Sequence, residues 1–218
     1  MKRLFKSGAM VLLIFLALAG LCANAAWADT GNYKNYGRAG LGINQFNGDL
    51  DDAGYDGGIN LDATYGRYLT NNIVIEGTVD YFYTDQDVSG RTGVAGRYSR
   101  DDQIGVGALL ATLKGEIPLG SVTLYAGAGI GVYYAALKSE IDTANLGSFD
   151  VKDDDSVFGF HLVTGGYYNI TERLFVGAEG LYRWTGDIDM EKTTGTVPVR
   201  FKGNLNGYAV TISAGFRF

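Results

Sequence analysis

From about Tyr36 onward, apolar and polar residues alternate at every second position in eight segments. Period two is the signature of a strand with one apolar face. The segments lie near 36–46, 58–68, 73–84, 103–117, 122–137, 157–170, 174–184 and 208–218. In the third, Ile73, Ile75, Val79, Tyr81 and Tyr83 oppose Glu76, Thr78, Asp80 and Thr84. In the fifth, Leu124, Ala126, Ala128, Ile130, Val132 and Tyr134 oppose Thr123, Tyr125, Gly127, Gly129 and Gly131. The fourth changes phase: Ile104, Val106 and Ala108 begin on one face, and Ala111, Leu113 and Ile117 continue on the other. A β-bulge at Leu109-Leu110 is expected to reconcile the two halves.

The connections differ in length. Stretches 69–72, 118–120 and 171–173 are tight turns, whereas 47–56, 85–102, 139–156 and 185–206 are long, polar and rich in Gly and Asp. Short turns at one end and long loops at the other are what a transmembrane barrel requires. The fold class expected is all-β, an eight-stranded antiparallel up-and-down transmembrane β-barrel.

The start of the chain follows a different pattern. Lys2, Arg3 and Lys6 precede an uncharged apolar run from Ala9 to Leu21, and small residues recur at Ala23, Ala25, Ala26 and Ala28. This layout is that of a secretory signal peptide, expected to span 1–28 and leave a barrel domain over 29–218. The sole cysteine, Cys22, lies inside it behind the large Leu21, so neither lipidation nor a disulfide is expected. Losing three lysine and arginine residues leaves 15 basic against 24 acidic ones, a net charge of −9. So acidic a chain is not expected to bind nucleic acid, which needs a basic face.

Alternation alone does not say which face looks outward, since a soluble calyx points its apolar face inward. Two features favour apolar-out. Tyr81, Tyr83, Tyr134, Phe158, Phe160, Tyr182, Trp184 and Tyr208 lie beside the long loops, and Tyr65, Tyr168, Phe216 and Phe218 lie towards the short turns. Two aromatic belts around a Val/Ile/Leu/Ala band match the two membrane interfaces. The opposite face carries Arg38, Asp62, Glu76, Asp80, Lys114, Glu116, Glu179, Arg183 and Arg217, a set of both signs expected to form a structural polar network in the lumen.

The last segment sets Tyr208, Val210, Ile212, Phe216 and the final Phe218 at alternate positions. This resembles the C-terminal assembly signal of outer-membrane barrels. With the stretch Leu124-Tyr125-Ala126-Gly127-Ala128-Gly129-Ile130-Gly131-Val132-Tyr133-Tyr134, the whole mature chain resembles the small eight-stranded OmpA-like and opacity-type barrels. The resemblance implies the bacterial outer membrane, contact with its lipid and lipopolysaccharide, and insertion by the outer-membrane assembly machinery through the C-terminal strand. OmpA itself continues into a peptidoglycan-binding domain; this chain is expected to end at the barrel, so wall tethering does not carry over.

Motifs with chemical potential weigh against catalysis. Gly127, Gly129 and Gly131 sit within a strand rather than between a strand and a helix, so they are expected to make room in the lumen rather than to cradle phosphate. The single His161 has Val163 two positions on and lacks a serine partner in that pattern. Asp153-Asp154-Asp155, with Asp150, could bind Ca²⁺ but lack EF-hand spacing, and a solvated acidic loop is the expected reading. Arg91, Arg97, Arg100, Lys192, Arg200 and Lys202 are candidate contacts for lipid phosphates. No enzyme activity, cofactor or metal is expected. The expected role is structural or surface-interacting (adhesion or envelope integrity), carried by four long extracellular loops with an unspecified ligand. The alternative is a narrow channel for ions or small solutes.

Overall fold

The computed structural model describes residues 33–52, 54, 57–92, 96–143, 147–194 and 197–218. At 52 and within 85–102, 139–152 and 190–201 it describes the backbone only, and the expected signal segment lies outside the described residues. The strands are β1 (Asn35–Phe46), β2 (Gly58–Tyr68), β3 (Ile73–Thr92), β4 (Gly96–Leu119), β5 (Val122–Thr143), β6 (Gly147–Asn169), β7 (Leu174–Thr185), β8 (Asp187–Thr194), β9 (Val197–Asn204) and β10 (Gly207–Arg217), with a one-turn helix α1 (Asp49–Asp52). Eight of them close a barrel in the order β1-β10-β7-β6-β5-β4-β3-β2, every pair antiparallel, while β8 and β9 form a separate hairpin.

The tight turns are held by local chemistry. Thr70 Oγ1 accepts from the Asn72 and Ile73 amides at 3.3 and 3.1 Å, and Thr171 Oγ1 accepts from those of Arg173 and Leu174 at 3.2 and 2.9 Å. A threonine hydroxyl at the head of the turn thus satisfies two amides that the ladder leaves open. Between β4 and β5, Leu119 pairs with Val122, leaving a two-residue loop whose Gly120 has φ +70°. That left-handed conformation is one glycine adopts without strain.

The alternation maps onto the wall as expected. Leu41, Ile43, Ile75, Leu113, Ile130, Leu162, Val176, Val210 and Ile212 face outward and are exposed, Ile212 to 68%. Phe158 and Phe160 are exposed to 69% and 68% at the long-loop end, and Tyr168 and Tyr65 are exposed at the other. A wall this apolar on the outside would be untenable in water, since soluble chains rarely expose contiguous apolar patches of more than a few hundred Å².

Three expectations are corrected. First, β4 carries no bulge: Ile73↔Gly115 through Thr92↔Gly96 and Tyr98↔Thr143 through Leu119↔Val122 run in unbroken register. Ile104, Val106, Ala108 and Leu110 all point inward, because the lumen near the long loops is itself apolar. The hydropathy changes phase while the side chains do not. Second, the stretches 85–102 and 139–156 are not open loops: β3 to β6 continue past the barrel rim as paired strands. Third, 47–56 contains α1, and 185–206 contains the β8–β9 hairpin.

Candidate functional site

Position along the strands sorts the lumen into layers. Nearest the short turns, Tyr36, Val74, Tyr125, Tyr167 and Phe175 form a buried aromatic floor, with Tyr68 against it. Tyr36 meets Phe175 edge-on at 5.7 Å between ring centroids, and Tyr167 lies 4.9 Å from Phe175. Glu116 belongs to this layer: it accepts from the Tyr167 hydroxyl at 2.5 Å, and Tyr167 and Tyr68 share a hydrogen bond at 3.2 Å.

The middle layer is ionic. Arg38 Nη2 donates to Glu179 Oε1 at 2.7 Å, and Lys114 Nζ donates to Glu179 Oε2 at 2.6 Å. Lys114 Nζ also lies 2.7 Å from Glu76 Oε2, and Arg38 Nε lies 3.9 Å from Glu76 Oε1. Two cations therefore alternate with two carboxylates around a closed cycle spanning β1, β4, β3 and β7. Tyr36 donates to Glu76 from below, and the Lys114 ammonium sits 4.1 Å from the centre of the Tyr125 ring. Buried charges persist when they are paired, and each member here has opposite charge on two sides, while Arg38 Nε and Nη1 make no hydrogen bond among the described residues.

Just above lie Asp62 and Asp80, directly opposite one another on β2 and β3. Asp80 Oδ1 accepts from Asn60 Nδ2 at 2.5 Å. The Asp62 carboxylate lies over Gly40, where an added Cβ would fall 2.0 Å from its Oδ2. Thr112 Oγ1 and His161 Nε2 are 2.8 Å apart, and His161 is buried. Gly129 gives this imidazole its space: a Cβ there would meet His161 Nε2 at 2.5 Å. The Gly127–Gly131 stretch thus lies within β5, and Gly129 acts as lumen clearance. A cavity of about 20 Å³ remains between Arg38, Asn60, Asp62 and Thr211, room for about one water molecule.

The layer nearest the long loops is apolar. Phe46, Phe82, Ile104, Val106, Tyr133, Ala135 and Leu137 pack with Leu50 of α1, Ile188 of β8 and Leu205 beyond β9. Arg183 crosses this layer, fully buried. Its Nε donates to the Leu205 carbonyl at 2.8 Å, its Nη2 donates to Asn44 Oδ1 at 2.5 Å, and its guanidinium lies 4.1 Å from the centre of the Phe82 ring. Asp49 Oδ2 accepts from the Asn204 backbone and side-chain amides at 3.0 and 2.6 Å, clasping α1 to the hairpin as a lid.

The predicted lumen residues therefore divide. Arg38, Glu76, Lys114 and Glu179 meet in one cycle, with Asp62 and Asp80 beside it. Glu116 joins the aromatic floor and Arg183 the lid. Arg217 lies apart from the ionic cycle, stacked on the floor rings of Phe175 and Tyr167 at 4.8 and 5.2 Å, and at the short-turn mouth it donates to Asn169 Oδ1 at 2.8 Å and to the Glu172 carbonyl at 3.3 Å. Tyr208, Val210 and Ile212 face outward on β10. Asp153-Asp154-Asp155 lie within β6, so alternate carboxylates point to opposite faces. Asp155 instead accepts from the Asp189 and Ser156 amides at 2.9 and 2.7 Å. Lys202 pairs with Asp187 at 3.2 Å at the surface, while the side chains of Asp150, Arg91, Arg97, Arg100, Lys192 and Arg200 lie outside the described residues. Sequence reasoning placed Tyr125 on the inward face but missed the inward aromatics Tyr36, Tyr68, Tyr133 and Tyr167. Their signal was present, since each occupies a polar-phase position.

The family model described as outer membrane protein beta-barrel domain matches residues 13–218. The outer membrane protein OprG from Pseudomonas aeruginosa is similar in structure at 16% identity and a TM-score of 0.55, covering 85% of this chain and 96% of its own. A major outer membrane protein from Thermus thermophilus is similar at 12% identity and 0.55, covering 86% and 100%. The outer membrane protein AlkL, solved in DMPC lipid bilayers, is similar at 17% identity and 0.51, covering 88% and 94%. No curated protein matches the chain by sequence.

Proposed function

We propose that this chain, which belongs to the outer membrane protein β-barrel family, is a closed anchor whose working surface is its long-loop end. The barrel lies in the bacterial outer membrane. The observation that carries the reading is the stacking of an aromatic floor, an ionic cycle and an apolar, lidded layer within one lumen. Side chains fill an eight-stranded lumen almost completely, and here they do so with paired charges and packed rings. Surface chemistry then resides in the projecting β3–β6 hairpins and the lid, which are free of the wall's duty to lipid. Under this reading the long loops face the cell exterior among lipopolysaccharide, and Tyr208, Val210, Ile212, Phe216 and Phe218 engage the assembly machinery. The charged lumen set has a structural role, and no reaction is assigned to the barrel.

In planar bilayers the refolded protein is expected to show no stable unit conductance. Shortening the β3–β4 and β5–β6 hairpins to the barrel rim is expected to preserve heat-modifiable migration while abolishing a surface phenotype of the expressing cell. Persistent single-channel steps would favour the narrow-channel alternative. Unchanged adhesion and envelope integrity after shortening would remove the loop role.

A further inference from the structure

The cavity of about 20 Å³ beside the ionic cycle is bordered by an unfinished set of polar atoms. Arg38 has two guanidinium nitrogens, Nε and Nη1, that donate to nothing among the described residues. Asp62 Oδ1 and Asn60 Oδ1 accept from nothing among them. All three residues line the cavity, and Arg38, Asp62 and Asn60 are only 7, 5 and 2% exposed.

The neighbours cannot complete the set. Asn60 Nδ2 is committed to Asp80 Oδ1 at 2.5 Å, so the carboxamide oxygen is the atom left over. Two threonines that line the cavity are already engaged: Thr78 Oγ1 with Thr64 Oγ1, and Thr112 Oγ1 with His161 Nε2, each at 2.8 Å. Asp62 keeps its place because Gly40 lies directly across on β1, where a side chain would collide with the carboxylate. Buried polar atoms are rarely left unmet, since each has given up its hydrogen bond to bulk water.

The donor and acceptor pattern selects one ligand. Two acceptor oxygens require a species with two donors, and the guanidinium requires one with a lone pair. A cation would meet the oxygens but offer Arg38 only repulsion. A halide would meet Arg38 but has nothing to donate to a carboxylate. An organic solute exceeds the volume, which suits a single water molecule. Water both donates twice and accepts twice.

We infer that this cavity is the site of an internal water molecule, donating to Asp62 Oδ1 and Asn60 Oδ1 and accepting from Arg38. The water ties Arg38 of the cycle to Asp62 and, through Asn60, to Asp80. Two carboxylates that face each other across β2 and β3, an unfavourable pairing by themselves, thereby join the cycle's network. The aromatic floor on one side and the lidded apolar layer on the other separate the site from bulk solvent, so exchange is slow. The assignment goes beyond the anchor reading and holds whichever end of the barrel faces the cell exterior.

A crystal structure of the mature protein, at a resolution that orders water and with crystals soaked in rubidium bromide, tests this directly. The expected result is one density peak at hydrogen-bonding distance from Asp62 Oδ1, Asn60 Oδ1 and an Arg38 nitrogen, without anomalous signal from either ion. A cavity without density, a direct Arg38–Asp62 pair that closes it, or a rubidium or bromide peak there would overturn the inference. Water oxygen-17 relaxation dispersion on the refolded protein in micelles gives a second readout. Asp62→Leu is expected to lose one long-lived water relative to the parent, whereas Asp62→Asn, which keeps an acceptor oxygen, is expected to retain it. An Asp62→Leu barrel with the parent's complement of long-lived waters would also overturn the inference. The density test needs only the parent protein, so it decides the matter even if Asp62→Leu fails to refold.

Discussion

Glu179→Ala is expected to destabilise the folded barrel by about 3–5 kcal/mol, the usual cost of stripping one partner from a buried ion pair. Glu179 receives both Arg38 and Lys114, at 2.7 and 2.6 Å. Without it, Glu76 is the one carboxylate left in the cycle, close to Lys114 but 3.9 Å from Arg38, with Asp62 beside Arg38 but making no ion pair with it. The uncompensated charge, rather than the lost contact, dominates the effect. Combining Glu179→Leu with Lys114→Met removes one charge of each sign and is expected to recover most of the loss. Urea titrations in lipid vesicles, followed by the fluorescence of Trp184 in the outer aromatic belt, would measure both. An unchanged midpoint for Glu179→Ala would show that the cycle is not what holds the lumen together.

Leu162→Arg addresses the wall rather than the lumen. Leu162 is half exposed, the first outward residue inside Phe160 of one belt on the way to Tyr168 towards the other. A cation on the lipid face costs about 2–4 kcal/mol at the bilayer midplane and about 0–1 near the interfaces, so at this depth the expected cost is about 1–3 kcal/mol. A soluble barrel would place this residue in water, where the same change is close to neutral. The same urea titration distinguishes the two. Val163, its neighbour, is buried in the lumen, so the contrast between adjacent positions is set by strand geometry alone.

The wall was largely legible in the sequence because lipid and lumen impose opposite demands on alternate residues. Segments 58–68 and 174–184 nearly coincide with β2 and β7, and the tight turns declared themselves through Thr70, Gly120 and Thr171. The ionic cycle was legible only as a list of charges. Arg38, Glu76, Lys114 and Glu179 are far apart in the chain, and only the barrel's register brings them together. The apolar upper lumen was not legible, because period two reports one apolar face and Ile104, Val106 and Phe82 supply a second. That is also why β4 imitates a bulge. The lid escaped notice because α1 spans four residues and β8–β9 is polar in composition, with Leu50, Ile188 and Leu205 as isolated inward anchors.

The apolar face meets lipid while a packed lumen lies within. The most direct measurement of this arrangement is a nitroxide scan along β6 from Phe158 to Tyr168 in lipid vesicles, comparing collision with oxygen and with a water-soluble nickel reagent. The only cysteine, Cys22, falls within the expected signal segment, so single labels can be placed on the mature chain without interference. The result predicted is strong oxygen collision at Phe158, Phe160, Leu162 and Tyr168, with labels at His161 and Val163 shielded from both reagents. The reverse phase, with Phe160 and Leu162 shielded and His161 open to the nickel reagent, would contradict it.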